Sequence, residues 1–223
     1  IDAPRPVVED TLIIHPPAEA EAAKVEIFRG RNIQPPPVPP DLPDALEGRV
    51  LIVLGDNIST GSMSPDGVLV FQERSNIEAI AEYVFKKEDP TFVSRAKEWG
   101  GGFIVGGDNY GQGSSREHAA LAPLQLGVRA VFAKAIHRIH RRNLINNGIV
   151  PALIDDEVYN KAQQGDGWRL PRIRDELERG SREFTLELDG QTVTVRNDLN
   201  QHEREQLLAG GLLKYLKQRR PAG

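Results

Sequence analysis

Apolar residues in the middle of the chain fall in short blocks set off by glycines. The run GRVLIVLGDN, residues 48–57, is β-branched and ends in Gly-Asp-Asn, as a buried strand feeding a loop would. In SNIEAIAEYVFKK, residues 75–87, Ile77, Ile80, Ala81 and Val84 recur at helical spacing, and Ser75 is the expected cap. GGGFIVGGDN, residues 100–109, reads as a second buried strand. A helix is expected to start near Ser115 and to close at Gly127. VRAVFAKA then gives a strand, HRIHRRNLINNG a helix closed by Gly148, and IVPALI a short strand. Strands that alternate with helices predict an α/β layered domain.

The two ends of the chain differ from this middle. PPPVPPDLP, residues 35–43, belongs to a stretch with little periodicity, so residues 1–48 are expected to form a Pro-rich extended lead-in or linker. The tract could dock on an SH3-like partner, and a rigid spacer is the simpler account. Towards the other end, Asp189-Gly190 sits between two alternating runs and signals a hairpin. HEREQLLAGGLLKYLKQRR follows as an amphipathic helix, interrupted or capped near Gly210-Gly211. The pattern thus predicts an α/β domain over residues 49–223 that ends in a β-hairpin and a helix.

Composition narrows the function classes. The 223 residues carry a formal net charge of -4 with both signs interspersed, which argues against a nucleic-acid partner. No apolar run reaches the roughly 18 residues of a membrane span. The first residues lack a basic-then-apolar leader pattern, so a cytoplasmic location is expected. There is no cysteine, so this chain cannot supply thiolates to zinc or to an iron-sulfur cluster.

The chemistry concentrates in GGDNYGQGSSREHAAL, residues 106–121. Gly111 and Gly113 let the backbone bend close to a ligand. They deliver Ser114, Ser115 and Arg116 to the expected start of a helix, where backbone N–H groups and a guanidinium favour an anion. From the residues alone, this is an anion-binding pocket with a serine base. Equally, Ser114 or Ser115 caps the helix and Glu117 completes its first turn. His137 and His140, at i and i+3, lack a third ligand nearby and read as structural or solvent-exposed. The run HRIHRR lines the mouth of an anion pocket or forms a solvated face. His118 reads as a hydrogen-bonded structural residue.

The segment from Gly100 to Ile154, with Gly-Ser-Ser-Arg-Glu-His at its centre, resembles the C-terminal swivel domain of the aconitase family. The likeness runs from about Val25 onward and looks most like single-chain bacterial aconitases. It implies a swivel-type α/β fold of three β/β/α layers with a mixed central sheet, and a hydro-lyase component, inactive alone. Such an enzyme would isomerise citrate to isocitrate through cis-aconitate, as in the tricarboxylic acid cycle. The resemblance also implies a [4Fe-4S] cluster on a partner domain or large subunit, and a di- or tricarboxylate substrate. Carried over residue by residue, Ser114 falls on the catalytic base. Ser115 and Arg116 fall on positions that hold substrate carboxylate or a developing alkoxide. Arg74 falls on a carboxylate clamp, and Ser64 on a further substrate contact. One departure stands out in DNISTGSMSP, residues 56–65, where Gly61 and Ser62 replace the family's Asp-His. Its alternatives are a related hydro-lyase with another substrate, or a catalytically impaired carboxylate-binding module.

Overall fold

The computed structural model describes residues 10–65, 70, 72–188 and 190–219. The chain divides into two compact units, Ile1–Arg31 and Asn32–Gly223. In the first, a single turn of helix, α1 (Glu19–Ala22), is followed by Lys24 paired with Glu21 at 2.8 Å. Among its described residues, large apolar side chains such as Leu12, Ile14 and Phe28 are exposed.

Among its described residues the second unit has seven strands: β1 (Leu46–Val53), β2 (Gly102–Gly106), β3 (Val128–Ala133), β4 (Val150–Leu153), β5 (Gly167–Leu170), β6 (Glu183–Leu188) and β7 (Gln191–Arg196). β1 to β4 run parallel, in register through Val53↔Val105 and Val131↔Pro151. The remaining pairings are antiparallel, so the sheet is mixed, as expected. It also closes into a barrel in the order β1-β2-β3-β4-β7-β6-β5, with Leu46↔Leu170 joining the first strand to the last. Sequence patterning did not reveal β5, the strand that closes it.

Strand alternation divides the core in two. One cluster draws on all seven strands, with Val50, Phe103, Phe132, Trp168 and Phe184 inside it. Its rings meet edge to face, Phe103 on Phe132 at 5.5 Å and Phe132 on Trp168 at 5.0 Å. The opposite faces of the parallel strands, with Leu51, Ile104 and Val131, bury against helices. Each such buried side chain contributes roughly 1.5–3 kcal/mol.

The helices described in this unit are α2 (Thr60–Met63), α3 (Ile77–Ala81), α4 (Phe92–Trp99), α5 (His118–Gln125), α6 (Arg138–Asn146), α7 (Asp156–Lys161), α8 (Ile173–Glu178), α9 (Gln201–Leu208) and α10 (Leu212–Arg219). α2 to α6 cover that outer face, whereas Val158 of α7, Ile173 and Leu177 of α8 and Leu207 of α9 join the first cluster. Three expectations are corrected here. The cap of α3 is Asn76, whose side chain accepts from the Ala79 amide at 3.2 Å, rather than Ser75. That helix stops at Ala81, short of Lys87, and Phe85 beyond it takes a left-handed φ of 52° while its amide donates to the Ser62 carbonyl. And α5 begins at His118 with Glu117 as its N-cap, so neither Ser114 nor Ser115 is a helix cap.

The C-terminal helix is broken at Gly210-Gly211 into α9 and α10, both glycines having positive φ. The hairpin joins β6 to β7 through Leu188↔Gln191; Asp189 of its turn lies outside the described residues, as do residues 1–9 of the lead-in. No helix among the described residues is long and apolar enough to cross a membrane.

Candidate active site

Loops leaving the C-terminal ends of parallel strands are where open and closed α/β sheets bind ligands. Here the loops after β1 and β2 meet. The first holds Ser59, α2 and Ser64; the second holds the glycine-bent Gly111-Gln112-Gly113-Ser114-Ser115-Arg116. Gly111 and Gly113 have φ of 81° and 102°, values that favour glycine. The Ser114 carbonyl accepts from the Thr60 hydroxyl at 3.0 Å and from the Arg116 amide at 2.8 Å. This tight turn is what keeps Ser114 to Arg116 out of α5.

Arg116 joins the two loops. Its Nη1 donates to the Ser64 carbonyl at 2.8 Å, and its Nη2 donates to Ser114 Oγ at 3.3 Å. Ser114 and Ser115 are exposed and Arg116 half-buried, whereas Ser64 is buried and meets the arginine through its backbone. Arg74 reaches the same region by its main chain, its carbonyl accepting from His118 Nε2 at 2.8 Å. His118 therefore has the hydrogen-bonded role anticipated for it. At Gly61 a Cβ would stand 3.8 Å from Arg116 Nη1 and 3.2 Å from Ser59 Oγ. The departure from the family pattern therefore lies beside the guanidinium.

Behind the loop lies His140, 1% exposed, with its ring 5.4 Å from that of Tyr110. A Cβ on Gly111 would come within 2.3 Å of the imidazole. Burial, with a smaller contribution from the nearby His137, pushes the His140 pKa down to about 4. Burial likewise raises the Tyr110 phenol far above its usual range. His140 is thus a core residue, neutral at ordinary pH. Two arginines of the basic run of α6 face elsewhere: Arg141 pairs with Glu203 at 2.9 Å and with Asp198 at 2.7 Å, and Arg142 reaches Glu203 at 3.6 Å.

Sequence reasoning missed the scaffold under the loop, namely Asn57, Thr60, Asn109 and Gln112. The signal was present as a repeated Gly-Asp-Asn at 55–57 and 107–109. Among the described residues, no group of three or more His, Cys, Asp or Glu side chains is placed to hold a metal ion.

Fold and site together define a mixed α/β barrel that displays a serine–arginine pair beyond the C-terminal ends of its parallel strands. The family model described as the aconitase C-terminal domain matches residues 72–157. A 3-isopropylmalate dehydratase small subunit from Halothermothrix orenii is 41% identical over 54% of this chain and 69% of its own length. The isopropylmalate/citramalate isomerase small subunit of Methanocaldococcus jannaschii is 34% identical over 78% of this chain and 95% of its own. The crystal structure of a 3-isopropylmalate dehydratase from the same organism superposes with a TM-score of 0.63 at 30% identity, covering 78% of this chain and 95% of that one. The chain belongs to the aconitase superfamily. These relatives are named for isopropylmalate and citramalate, and the expectation of a citrate enzyme of the tricarboxylic acid cycle gives way to them.

Proposed function

We propose that this chain acts as the small subunit of an aconitase-superfamily hydro-lyase of the isopropylmalate type, moving a hydroxyl between adjacent carbons of a hydroxy-dicarboxylate. The observation that carries this reading is the contact of Arg116 Nη2 with Ser114 Oγ at 3.3 Å, outside the helix and open to an incoming molecule. A guanidinium at that distance stabilises the serine in its alkoxide form. Ser114 Oγ then takes the proton from the carbon next to a substrate carboxylate. The electron pair of that C–H bond becomes the alkene as hydroxide leaves the neighbouring carbon. Rehydration returns the proton from Ser114 to the carbon that lost hydroxide, while hydroxide adds to the carbon that lost the proton. Arg74, Ser115 and Ser64 are assigned to holding the substrate's carboxylates, a task that suits the planar fork of an arginine.

The [4Fe-4S] cluster implied by the family does not fit the residues of this chain, which has no cysteine and no described cluster of ligating side chains. Its place in this proposal is on a large-subunit partner, where its Lewis acidity would assist loss of the hydroxyl. Closure of that partner over the exposed Ser114 would exclude water from the site. A second reading rests on Gly61, which leaves the space beside Arg116 without a side chain. On that reading the chain binds a carboxylate without turning it over.

The test combines the chain with the cluster-bearing subunit from the same genome and follows alkene absorbance with isopropylmalate, citramalate, homocitrate and citrate. Turnover of one substrate that Ser114→Ala lowers by about 10²-fold or more, and that Arg74→Lys weakens, is the expected result. A complex that assembles with its cluster and turns over none of the four refutes the hydro-lyase and leaves the binding reading.

A further inference from the structure

We propose that Thr60 is a positioning residue for Ser114, held in place by a clasp between two matched Gly-Asp-Asn turns; the catalytic part of this inference rests on the reading above. Val53-Leu54-Gly55-Asp56-Asn57 and Val105-Gly106-Gly107-Asp108-Asn109 leave neighbouring parallel strands at the same register, since Val53 pairs with Val105. Asn57 and Asn109 both take the left-handed conformation, with φ of 60° and 54°. Asparagine tolerates that conformation better than most residues, and each turn reverses at the same place.

The turns are stitched together at successive residues. Gly107 donates its amide to the Gly55 carbonyl at 3.2 Å, and Asn57 donates to Asp108 at 2.8 Å. Asp56 Oδ1 accepts the Asp108 amide at 2.7 Å, and a Cβ on Gly107 would collide with that oxygen at 2.0 Å. Asn109 Nδ2 donates to both Asn57 Oδ1 and Gln112 Oε1, at 3.1 and 3.2 Å, while Gln112 Nε2 donates to the Asn57 carbonyl at 2.9 Å. Further along, Gly111 donates to Ile58 and Thr60 donates to Gln112, each at 2.8 Å.

The last stitch is the Thr60 hydroxyl on the Ser114 carbonyl at 3.0 Å. Thr60 is 2% exposed, so its rotamer is fixed by packing, and it is the described side chain whose bond ends on the main chain of Ser114 itself. A loop with glycines at 111 and 113 has large backbone freedom of its own, and the clasp removes it before any substrate arrives. A displacement of Ser114 Oγ by about 1 Å is enough to cost on the order of 10²-fold in rate.

The experiment compares Thr60→Val, which keeps the shape and removes the donor, with Thr60→Ser, which keeps the donor. In the complex with the cluster-bearing subunit, Thr60→Val is expected to lower kcat about tenfold or more with KM changed less than about threefold, and Thr60→Ser to stay within about threefold of the parent. Amide exchange of the full chain alone gives a readout free of catalysis. The Arg116 amide, which bonds to the same Ser114 carbonyl, should exchange several-fold faster in Thr60→Val and unchanged in Thr60→Ser. Faster exchange in a chain whose parent complex has no turnover leaves the positioning of the loop intact and removes only the hydro-lyase reading. Unchanged exchange at Arg116 overturns the inference, as does an equal loss of kcat in both variants.

Discussion

Burial of His140 makes the stability of this fold depend on pH. It is 1% exposed, packed against Tyr110 and the Gly111 backbone, and burial followed by the nearby His137 lowers its pKa to about 4. In the unfolded chain the same imidazole titrates near 6.5. Between these values the unfolded state binds a proton that the folded state refuses, so stability rises with pH across the window and falls as pH drops from about 6.5 to about 4. The loss from pH 7 to pH 5 is about 2 kcal/mol, which for a domain of this size lowers Tm by about 4–8 °C. Paired urea melts at pH 7 and pH 5, on the parent and on His140→Phe, check this. The parent should lose about 2 kcal/mol more than the variant, because the other histidines are common to both. Equal losses in the two proteins would mean that His140 takes up its proton in the folded state as readily as in the unfolded one, and would refute the burial argument.

Other perturbations test neighbouring parts of the structure. Gly111→Ala places a methyl 2.3 Å from the His140 ring at a φ of 81°, and left-handed strain plus overpacking should cost about 2–5 kcal/mol in a denaturant melt. Glu203 is pushed up by burial, but hydrogen bonds from Arg141 and the Asn200 amide and the charges of Arg141 and Arg142 outweigh this and hold its carboxyl below the usual range. Its contribution is therefore fully present above about pH 4.3 and is lost as pH falls through the depressed value. Glu203→Gln should cost about 1–3 kcal/mol at pH 7, with the gap to the parent closing in acid.

The elements that the sequence disclosed are those with a sustained pattern: alternation in β6 and β7, an amphipathic stripe in the C-terminal helices, and continuous apolar runs in the parallel strands. β1 to β4 are short apolar runs bounded by glycine, and α5 and α6 lie between them, so the parallel half of the barrel could be read directly. What escaped was short or mixed in character. β5 is four residues, Gly167–Leu170, with only Trp168 and Leu170 buried, too brief for alternation to register. α4 spans Phe92–Trp99 and buries Phe92, Arg95 and Ala96; the arginine broke its apolar stripe. That Arg95 is nonetheless well accommodated, donating to the Leu51 carbonyl at 2.8 Å and to Asp89, which no pattern along the chain foretells. Closure of the sheet depends on Leu46 meeting Leu170, two residues far apart in the chain, and so lay beyond local periodicity.

The site shows the same division between residues whose chemistry is visible and residues whose placement is not. Gly-Ser-Ser-Arg declares a bent loop with a serine base and a cation, and the structure sets Arg116 against Ser114 and against Ser64 across the two loops. The ambiguity that remained in the sequence, serine as cap or serine as displayed group, is decided by where α5 begins. With Glu117 as N-cap and the Ser114 carbonyl already engaged by Thr60 and by the Arg116 amide, the two serines stand clear of the helix. Thr60 therefore matters more than its chemistry suggests, because it is the link that turns a flexible glycine loop into a fixed one. Gly61, the next residue, is where the family's carboxylate is missing, and its Cβ position lies 3.8 Å from the Arg116 guanidinium. In the reading proposed above, an uncharged residue at 61 leaves the attraction of the Arg116 guanidinium for a substrate carboxylate less opposed, while Thr60 keeps Ser114 in place. On that reading the departure acts on the charge and space around Arg116 and spares the scaffold that orients the serine.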